Sequence, residues 1–327
     1  MKKIMITGAT GFVGSHLVEA LQKKSIEKIS IFTRRRTKLI DSFEKNGAEI
    51  FHGTFDDKEL LTRALSGVDT VIHVAAATKG LAREDYVKSN VNFTKAIAEK
   101  MSSDQKIVHI SSLAAAGPST MEKPVDESMP DNPLTWYGET KLLSEKEVEK
   151  YSEKNGFSRT TIRPCIVYGP RERDMFEYFK LINKGFYLIM GTGKKRISLI
   201  YVKNLVDAII QAAESEKSNG ETYLASDDYS ADWLDLGEEI KKALGKKRMI
   251  KLKLPELLAY PVAWGSDIIG RVSGKPQLLN SQKMIEVRQD AWLADNKKLK
   301  ELGWKPHYGF EEGIKETADW YKKEGWI

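Results

Sequence analysis

Only one cysteine, Cys165, stands in the chain. No internal disulfide can form, which fits a reducing compartment. No apolar run approaches the roughly 18 residues that a membrane span needs. The most apolar stretch, Leu252 to Ile269, is interrupted by Pro255, Glu256, Pro261, Gly265 and Asp267. No signal-like segment precedes the first strand-like run at Lys3, so the expected location is cytoplasmic. The five histidines (His16, His52, His73, His109 and His307) have neither a ligand spacing nor cysteine partners, and no metal site is expected. Charge of one sign is also scarce: 52 basic against 46 acidic side chains leave a formal +6. Acids and bases alternate, as from Glu145 to Lys154, which describes a lysine-rich solvated surface rather than a face for nucleic acid.

With 41% apolar and 30% charged residues in 327, the composition is that of an ordinary globular chain with enough length for a large core. Its first half alternates β-branched runs with amphipathic runs, the pattern of βαβ units around a parallel sheet. Strands are expected at Lys3–Thr7, Lys28–Thr33, Glu49–His52, Thr70–Val74, Lys106–Ser111 and Arg159–Pro164. Helices are expected at Phe12–Lys24, Lys58–Leu65, Asp85–Lys100 and Tyr137–Asn155, the last stopped by Asn155–Gly156. After Pro164 the rhythm changes. Met175–Lys184 reads as a helix, Gly185–Lys195 as a glycine-punctuated loop, Ile197–Val202 and Glu221–Ala225 as strands, and Lys203–Ala213 as a helix. From Ser230 onward helices dominate. The expected fold class is α/β: a doubly wound parallel sheet (residues 1–168 plus about 197–227) with a smaller, mostly helical C-terminal substrate cap (about 169–196 plus 228–327).

Thr7 to Gly14 reads TGATGFVG and follows the first strand directly. Gly8 permits a tight turn, Gly11 lets the backbone approach a pyrophosphate, and Gly14 allows close helix–strand packing. The helix N-terminus behind them offers free N–H groups and a favourable dipole to phosphates. The Gly-Lys-Ser/Thr ending of a nucleoside-triphosphate loop is missing. At the end of the second strand, where an acidic side chain would grip the ribose 2′-hydroxyl of NAD, the chain has Thr33, Arg34, Arg35 and Arg36. Guanidinium groups suit a 2′-phosphate, so NADP is expected ahead of NAD; the plainer reading is a solvated basic loop.

Tyr137 and Lys141 lie four apart at the start of a helix and share a face. A phenol with a pKa of about 10 is a sluggish acid–base near neutrality. A neighbouring ammonium favours its phenolate, as would the positive ring of an oxidised nicotinamide. Ser112, at the end of the fifth strand, could hold a substrate oxygen. Ser111 is the alternative.

Together, TGATGFVG, VIHVAA (Val71–Ala76), SNVNFT (Ser89–Thr94), HISSLAAAG (His109–Gly117), WYGETK (Trp136–Lys141), IRPCIVYGP (Ile162–Pro170) and the ending KELGWKPHYGFEEGIKETADWY (Lys300–Tyr321) resemble the extended short-chain dehydrogenase/reductase family. It is also called the NAD-dependent epimerase/dehydratase family, and the likeness spans the whole chain. The resemblance implies a Rossmann cofactor domain and a hydride-transfer enzyme. In it Tyr137 is the acid–base, Lys141 orients the nicotinamide ribose and lowers the tyrosine pKa, Ser112 polarises a carbonyl, and Asn90 supports the site from behind. It further implies cofactor contacts from Thr7, Gly8, Thr10, Gly11, Phe12, Val13 and Gly14, and from Thr33, Arg34 and Arg35. Thr54 and Phe55 would touch adenine, although the common acidic-then-aliphatic pair is missing there. Ala75 and Ala76 would let the cofactor pass near the backbone, and Tyr137, Lys141, Pro164, Ile166 and Val167 would complete the set. His73, Cys165 and His16 read as packing residues.

The same triad serves reductases, epimerases and dehydratases. Two departures argue against a nucleotide sugar: Ile166 stands where such epimerases typically carry asparagine, and ISLIYVKNL (Ile197–Leu205) replaces a phosphate-gripping run, with Arg196 displaced by one. The pattern is similar to the branch containing dihydroflavonol reductases and 3β-hydroxysteroid dehydrogenases. That implies reduction of a ketone, or oxidation of a secondary alcohol, on a bulky apolar substrate. The alternatives are a nucleotide-sugar epimerase or dehydratase that retains NAD, and a non-catalytic cofactor sensor. Loops Ala77–Tyr86, Leu113–Trp136 and Arg171–Phe179 are expected to contact substrate. Leu252–Leu279 could line its pocket, or be plain core or a dimer surface. A homodimer joined through Asp85–Lys100 and Tyr137–Asn155 is implied by the resemblance.

Overall fold

Seven short aliphatic runs pair in parallel into one twisted sheet: β1 (Lys3–Thr7), β2 (Lys28–Thr33), β3 (Glu49–His52), β4 (Thr70–His73), β5 (Lys106–Ile110), β6 (Ser158–Pro164) and β10 (Thr222–Ala225). Each lies within one residue of its expected bounds. The computed structural model describes residues 1–277 and 280–327. The sheet order is β10-β6-β5-β4-β1-β2-β3. It reverses direction between β1 and β4, and the crevice at such a reversal, outside the carboxyl ends of the strands, is where open α/β sheets bind ligands.

The alternation of side chains along β1 divides the core in two. Ile4 and Ile6 face one layer with Leu17 of α1 (Phe12–Gln22) and Leu205 and Ile209 of α9 (Val202–Glu214). Met5 faces the other, with Leu61 of α3 (Lys58–Leu65), Ile97 of α5 (Phe93–Ala98) and Val148 of α7 (Trp136–Asn155). The sheet is thus covered on both faces; buried apolar residues such as Ile4, Met5 and Ile6 of β1 and Val71 and Ile72 of β4 fill the middle of its strands, with buried His109, Thr160 and Thr161 among them.

The expected helix Asp85–Lys100 is composite. A turn, α4 (Arg83–Tyr86), leads into a π-helical stretch, Val87–Asn92, and then α5. A further helix, α2 (Lys38–Lys45), follows the arginine cluster; its N-cap is Thr37, whose side chain accepts from the Ile40 N–H at 3.3 Å. Sequence reasoning missed it because only Ile40 and Phe43 are buried, too few apolar positions to establish a period.

The later residues build smaller sheets as well as helices. β9 (Arg196–Tyr201), expected as the strand Ile197–Val202, lies outside the large sheet and pairs with β7 (Ile166–Tyr168), β11 (Ser230–Asp232) and β13 (Ala291–Trp292). The expected loop Gly185–Lys195 contains β8 (Phe186–Met190), which pairs with β12 (Ile250–Leu254). Alternate residues of β8 are exposed, as are the first four of β12, and the glycines around β8 hid it. Helices α8 (Asp174–Asn183), α10 (Trp233–Ala243) and α14 (Phe310–Lys323) close an aromatic-rich cluster around Tyr168, Phe179, Tyr187, Tyr201 and Tyr321. Helix α11 (Glu256–Ser273) packs Ala259 and Ala263 against Met284 of α12 (Ser281–Val287). It turns most of its remaining surface outward, so the expectation that Leu252–Leu279 is plain core does not hold for it. Leu278 and Leu279 lie outside the described residues.

Candidate active site

The glycine turn has the shape its residues require. Gly8 sits at φ +76°, and a Cβ there would come within 2.7 Å of the Ala75 amide; a Cβ on Gly14 would lie 2.2 Å from the Gly8 carbonyl. Close approach between the β1–α1 turn and the chain leaving β4 therefore excludes side chains at both positions. Gly11 is exposed and donates its N–H to Gly8 at 2.9 Å. No side chain caps α1, so the leading N–H groups of Phe12, Val13 and Gly14 are left for a ligand. Thr10 is exposed beside them. Register places Thr7 opposite both Phe32 and His73, which brings Thr33, Ala75 and Ala76 to the same edge as the turn.

Thr33 is held by its own loop, its hydroxyl donating to the Arg35 carbonyl at 3.1 Å. Arg36 is occupied by Asp41 and Glu44 of α2. Arg34 and Arg35 are exposed and form no ion pair among the described residues. Phe55 stacks on Phe93 with ring centroids 5.2 Å apart, and Thr54 is exposed next to it. Pro164 ends β6, while Ile166 and Val167 pack in the same cluster as Phe12 and Val13. A turn that only glycine can make, an uncapped helix end and two free guanidinium groups at the ribose position fit a dinucleotide. Those groups would hold its pyrophosphate and ribose.

Tyr137 and Lys141 occupy the first two turns of α7, which Thr135 caps by accepting from the Gly138 N–H at 3.2 Å. Gly138 brings this helix against α6 (Leu113–Ala116): a Cβ on it would lie 2.2 Å from the Ala114 carbonyl. Ser112 is the N-cap of α6, its Oγ accepting from Ala114 at 3.1 Å. The contact between the two helices thus sets the serine beside the tyrosine. Burial pushes the Tyr137 phenol up to about 12, and the Ser112 hydroxyl, near enough to hydrogen-bond it, opposes that rise. Ser111 is turned away and donates to Glu145, which leaves Ser112 facing the phenol.

Lys141 departs from the expected pairing. Its Nζ donates to the Ile110 carbonyl at 2.6 Å, and burial lowers its pKa to about 8 against the attraction of Glu145. The tyrosine therefore gains no stabilisation of its phenolate from Lys141 in this state. Asn90 lies in the π-helical stretch and is buried. Its Oδ1 accepts from the Ala77 N–H at 2.7 Å, and its Nδ2 donates to the Ala77 carbonyl at 3.2 Å and to the Thr140 hydroxyl at 3.1 Å. It ties the chain after β4 to the catalytic turn of α7, and π-helical turns are frequent at such places.

A buried polar chain escaped sequence reasoning. The Ala75 N–H donates to Thr7 Oγ1 at 3.2 Å; Thr7 meets His73 Nδ1 at 2.7 Å; His73 Nε2 meets Thr94 Oγ1 at 2.9 Å; and Thr94 donates to the Asn90 carbonyl at 2.5 Å. Those donors leave His73 neutral, with its proton on Nε2. Burial, with Lys141 adding to it, lowers its pKa to about 3. His109 stacks on His73 at 5.5 Å and reaches Ser144 at 2.9 Å; Ser144 donates to the Lys141 carbonyl at 2.7 Å. His73 is thus buried as expected, yet it also links the glycine-turn strand to the catalytic helix. Arg163 was missed too, although it sits inside the IRPCIVYGP run. It bridges Glu145 of α7 and Asp131 of the preceding loop, each with a contact of 2.6 Å. His16 hydrogen-bonds the Pro170 carbonyl at 2.9 Å, and Cys165 is buried core. Among the described residues no cluster could hold a metal.

A Rossmann-type sheet with a glycine turn and a Ser–Tyr–Lys constellation at its carboxyl edge defines a nicotinamide-dinucleotide enzyme. The profile of the NAD dependent epimerase/dehydratase family matches residues 4–225, and the chain belongs to that family of NAD-dependent enzymes. It is 30% identical over 335 residues to a UDP-glucose 4-epimerase of Vibrio cholerae, covering 97% of this chain and 94% of that one. It is 24% identical to a decarboxylating sterol-4-alpha-carboxylate 3-dehydrogenase of Candida albicans, covering 99% of each. Among solved structures it is similar to a UDP-glucuronic acid 4-epimerase from Bacillus cereus in complex with UDP-glucuronic acid and NAD, with a TM-score of 0.80, 25% identity, and 98% and 99% of the chains covered. No helix among the described residues is long and apolar enough to cross a membrane.

Proposed function

We propose that the protein is an NADP(H)-dependent oxidoreductase that reduces a ketone, or oxidises the corresponding secondary alcohol, on a bulky apolar substrate. The convergence of Ser112, Tyr137 and Lys141 beside the glycine turn carries the reading. The nicotinamide supplies or accepts the hydride. Ser112 would hold the substrate oxygen, and Tyr137 would deliver or take its proton. Lys141 would leave the Ile110 carbonyl for the cofactor ribose, where its ammonium favours the phenolate. Arg34 and Arg35 would pair with a 2′-phosphate, and Asn90 would keep the chain after β4 in register with the catalytic turn.

The substrate class is supported by β9. Ile197, Leu199, Ile200 and Tyr201 are buried core, and the Arg196 side chain is engaged with Ser230. The strand's one guanidinium stands at its exposed first position, and the rest of the strand is buried. We take the cofactor unit to be residues 1–168 with about 197–227, the remainder forming the cap, and the working form to be a cytoplasmic homodimer paired through α5 and α7. The epimerase relative favours one other reading, a nucleotide-sugar epimerase or dehydratase that retains NAD. Titration with NADPH and NADH, followed by turnover assays on ketones and UDP-sugars, separates the two. Preference for NADPH with ketone-dependent oxidation supports the proposal; retained NAD with UDP-sugar interconversion replaces it.

A further inference from the structure

Exposed large apolar side chains on this protein are concentrated in one region. Seven of the thirteen among the described residues lie on α11, including Trp264 at 69% exposure and Val272 at 85%, and four more lie on β8 and β12. On the strands the parallel register sets Phe186 beside Ile250 and Leu188 beside Leu252, so all four share one outward face. The helix follows β12 through Pro255 alone and packs its buried side, Ala259 and Ala263, against Met190 and Leu254 at the ends of the same two strands. Its outward side carries Leu258, Val262, Trp264, Ile268, Ile269 and Val272, with Tyr260 beside them. A helix on the surface of a soluble domain has polar residues on that side, and an apolar patch of this extent marks an interaction site.

The charge around it selects the partner. Between Lys246 and Lys275 there are seven basic residues and two acidic ones, Glu256 and Asp267. Glu256 is paired with Lys195 at 2.7 Å, and Asp267 accepts from the Ser281 N–H at 3.2 Å. Lys247, Arg248 and Lys253 at one end of the segment, and Arg271 and Lys275 at the other, are exposed and form no ion pairs among the described residues. A second copy would bring the same basic rim against itself. Anionic headgroups would neutralise it, with Tyr260 and Trp264 at the depth where aromatic rings settle. The 18-residue helix is about 27 Å long, but Pro261, Glu256, Asp267 and Arg271 bar it from spanning. It would lie in the interface.

We infer that α11, with the outward face of β8 and β12, docks the protein on the surface of an anionic phospholipid bilayer. The inward side of the docking helix adjoins the reaction site. The Leu81 side chain, in the loop after β4, lies 3.2 Å from where a Cβ on Gly270 would stand. Helix α12, packed on α11, accepts the Trp136 N–H through Gln282 at 2.9 Å, at the head of the catalytic helix. A substrate leaving the bilayer at this face would enter beside the loop after β4 and the head of the catalytic helix. This deepens the apolar-substrate reading above but is measured independently of turnover.

The test is cosedimentation of the full-length protein with phosphatidylglycerol/phosphatidylcholine vesicles and with pure phosphatidylcholine vesicles. Trp264→Ser/Ile269→Ser/Val272→Ser and Arg271→Glu/Lys275→Glu serve as variants, with thermal midpoint and NADPH binding as folding controls. The expected result is binding to anionic vesicles that weakens with salt and falls by at least about tenfold in each variant. No binding, or equal binding to neutral vesicles, overturns the inference. So does a dimer in vesicle-free buffer that the triple variant converts to monomer, since a second copy would then cover the patch.

Discussion

At the scale of single residues, the cofactor-free site is held with its groups in their resting forms. Tyr137 is protonated and half-buried, and Lys141 is spent on a backbone carbonyl. Replacing Tyr137 by Phe keeps the ring and removes only the transferable proton, so kcat should fall by roughly 10²- to 10⁴-fold while NADPH affinity, read by fluorescence titration, stays near wild type. Unchanged turnover would show that Tyr137 is not the acid–base. The lysine makes a pH-dependent contribution of known sign. Its pKa drops from 10.5 in the open chain to about 8 in the fold, so between those values the folded state binds fewer protons and stability rises with pH. Relative to Lys141→Met, the wild-type cofactor-free protein should gain urea resistance from pH 8 to pH 10.5. A constant difference across that window would contradict the assignment. The residue types were legible in sequence, because YxxxK and the serine carry their chemistry in their identities. The Ile110 contact was not, since no side-chain pattern announces which backbone carbonyl an ammonium will find.

At the scale of elements, the site depends on close backbone packing. Gly138 lets α7 approach α6 until Ser112 meets Tyr137. Alanine in place of glycine inside a helix ordinarily adds about 1 kcal/mol of stability. Here its Cβ would lie 2.2 Å from the Ala114 carbonyl, and the resulting overpacking, about 1–3 kcal/mol, should decide the sign. Gly138→Ala is therefore expected to lower the denaturation midpoint and to reduce kcat more than KM rises. A stabilised, fully active variant would show that the two helices need not touch. Sequence reasoning placed the strands of the large sheet closely because short buried apolar runs, such as Ile4 to Ile6 and Val71 to Ile72, mark the middle of most of them. It failed at β8, whose alternate residues face solvent, and at β12, whose first four residues all do; glycine and lysine stand around both. It also failed to resolve the helix around Asn90, where the wider π-helical turn leaves no trace in a 3.6-residue period.

At the scale of the whole molecule, the buried pair His73–His109 at the centre of the sheet joins the glycine-turn strand to the catalytic helix. Both rings are neutral in the fold, their pKa values pulled below 6.5, that of His73 to about 3. The unfolded chain binds these protons first, so stability should fall as pH drops below about 6.5 and should keep falling toward 3. His73→Gln, compared with wild type by thermal unfolding between pH 7 and pH 4, should show a shallower decline; an equal slope would place the acid sensitivity elsewhere. The central claim is that phenol, ammonium and hydroxyl meet one nicotinamide ring. A crystal structure with bound NADPH tests it most directly. The account predicts the pyrophosphate on the Gly8–Gly14 turn, the 2′-phosphate on Arg34 or Arg35, and Lys141 moved from the Ile110 carbonyl to the nicotinamide ribose beside Tyr137. A nicotinamide ring directed away from Tyr137, with Lys141 still on Ile110, would contradict it.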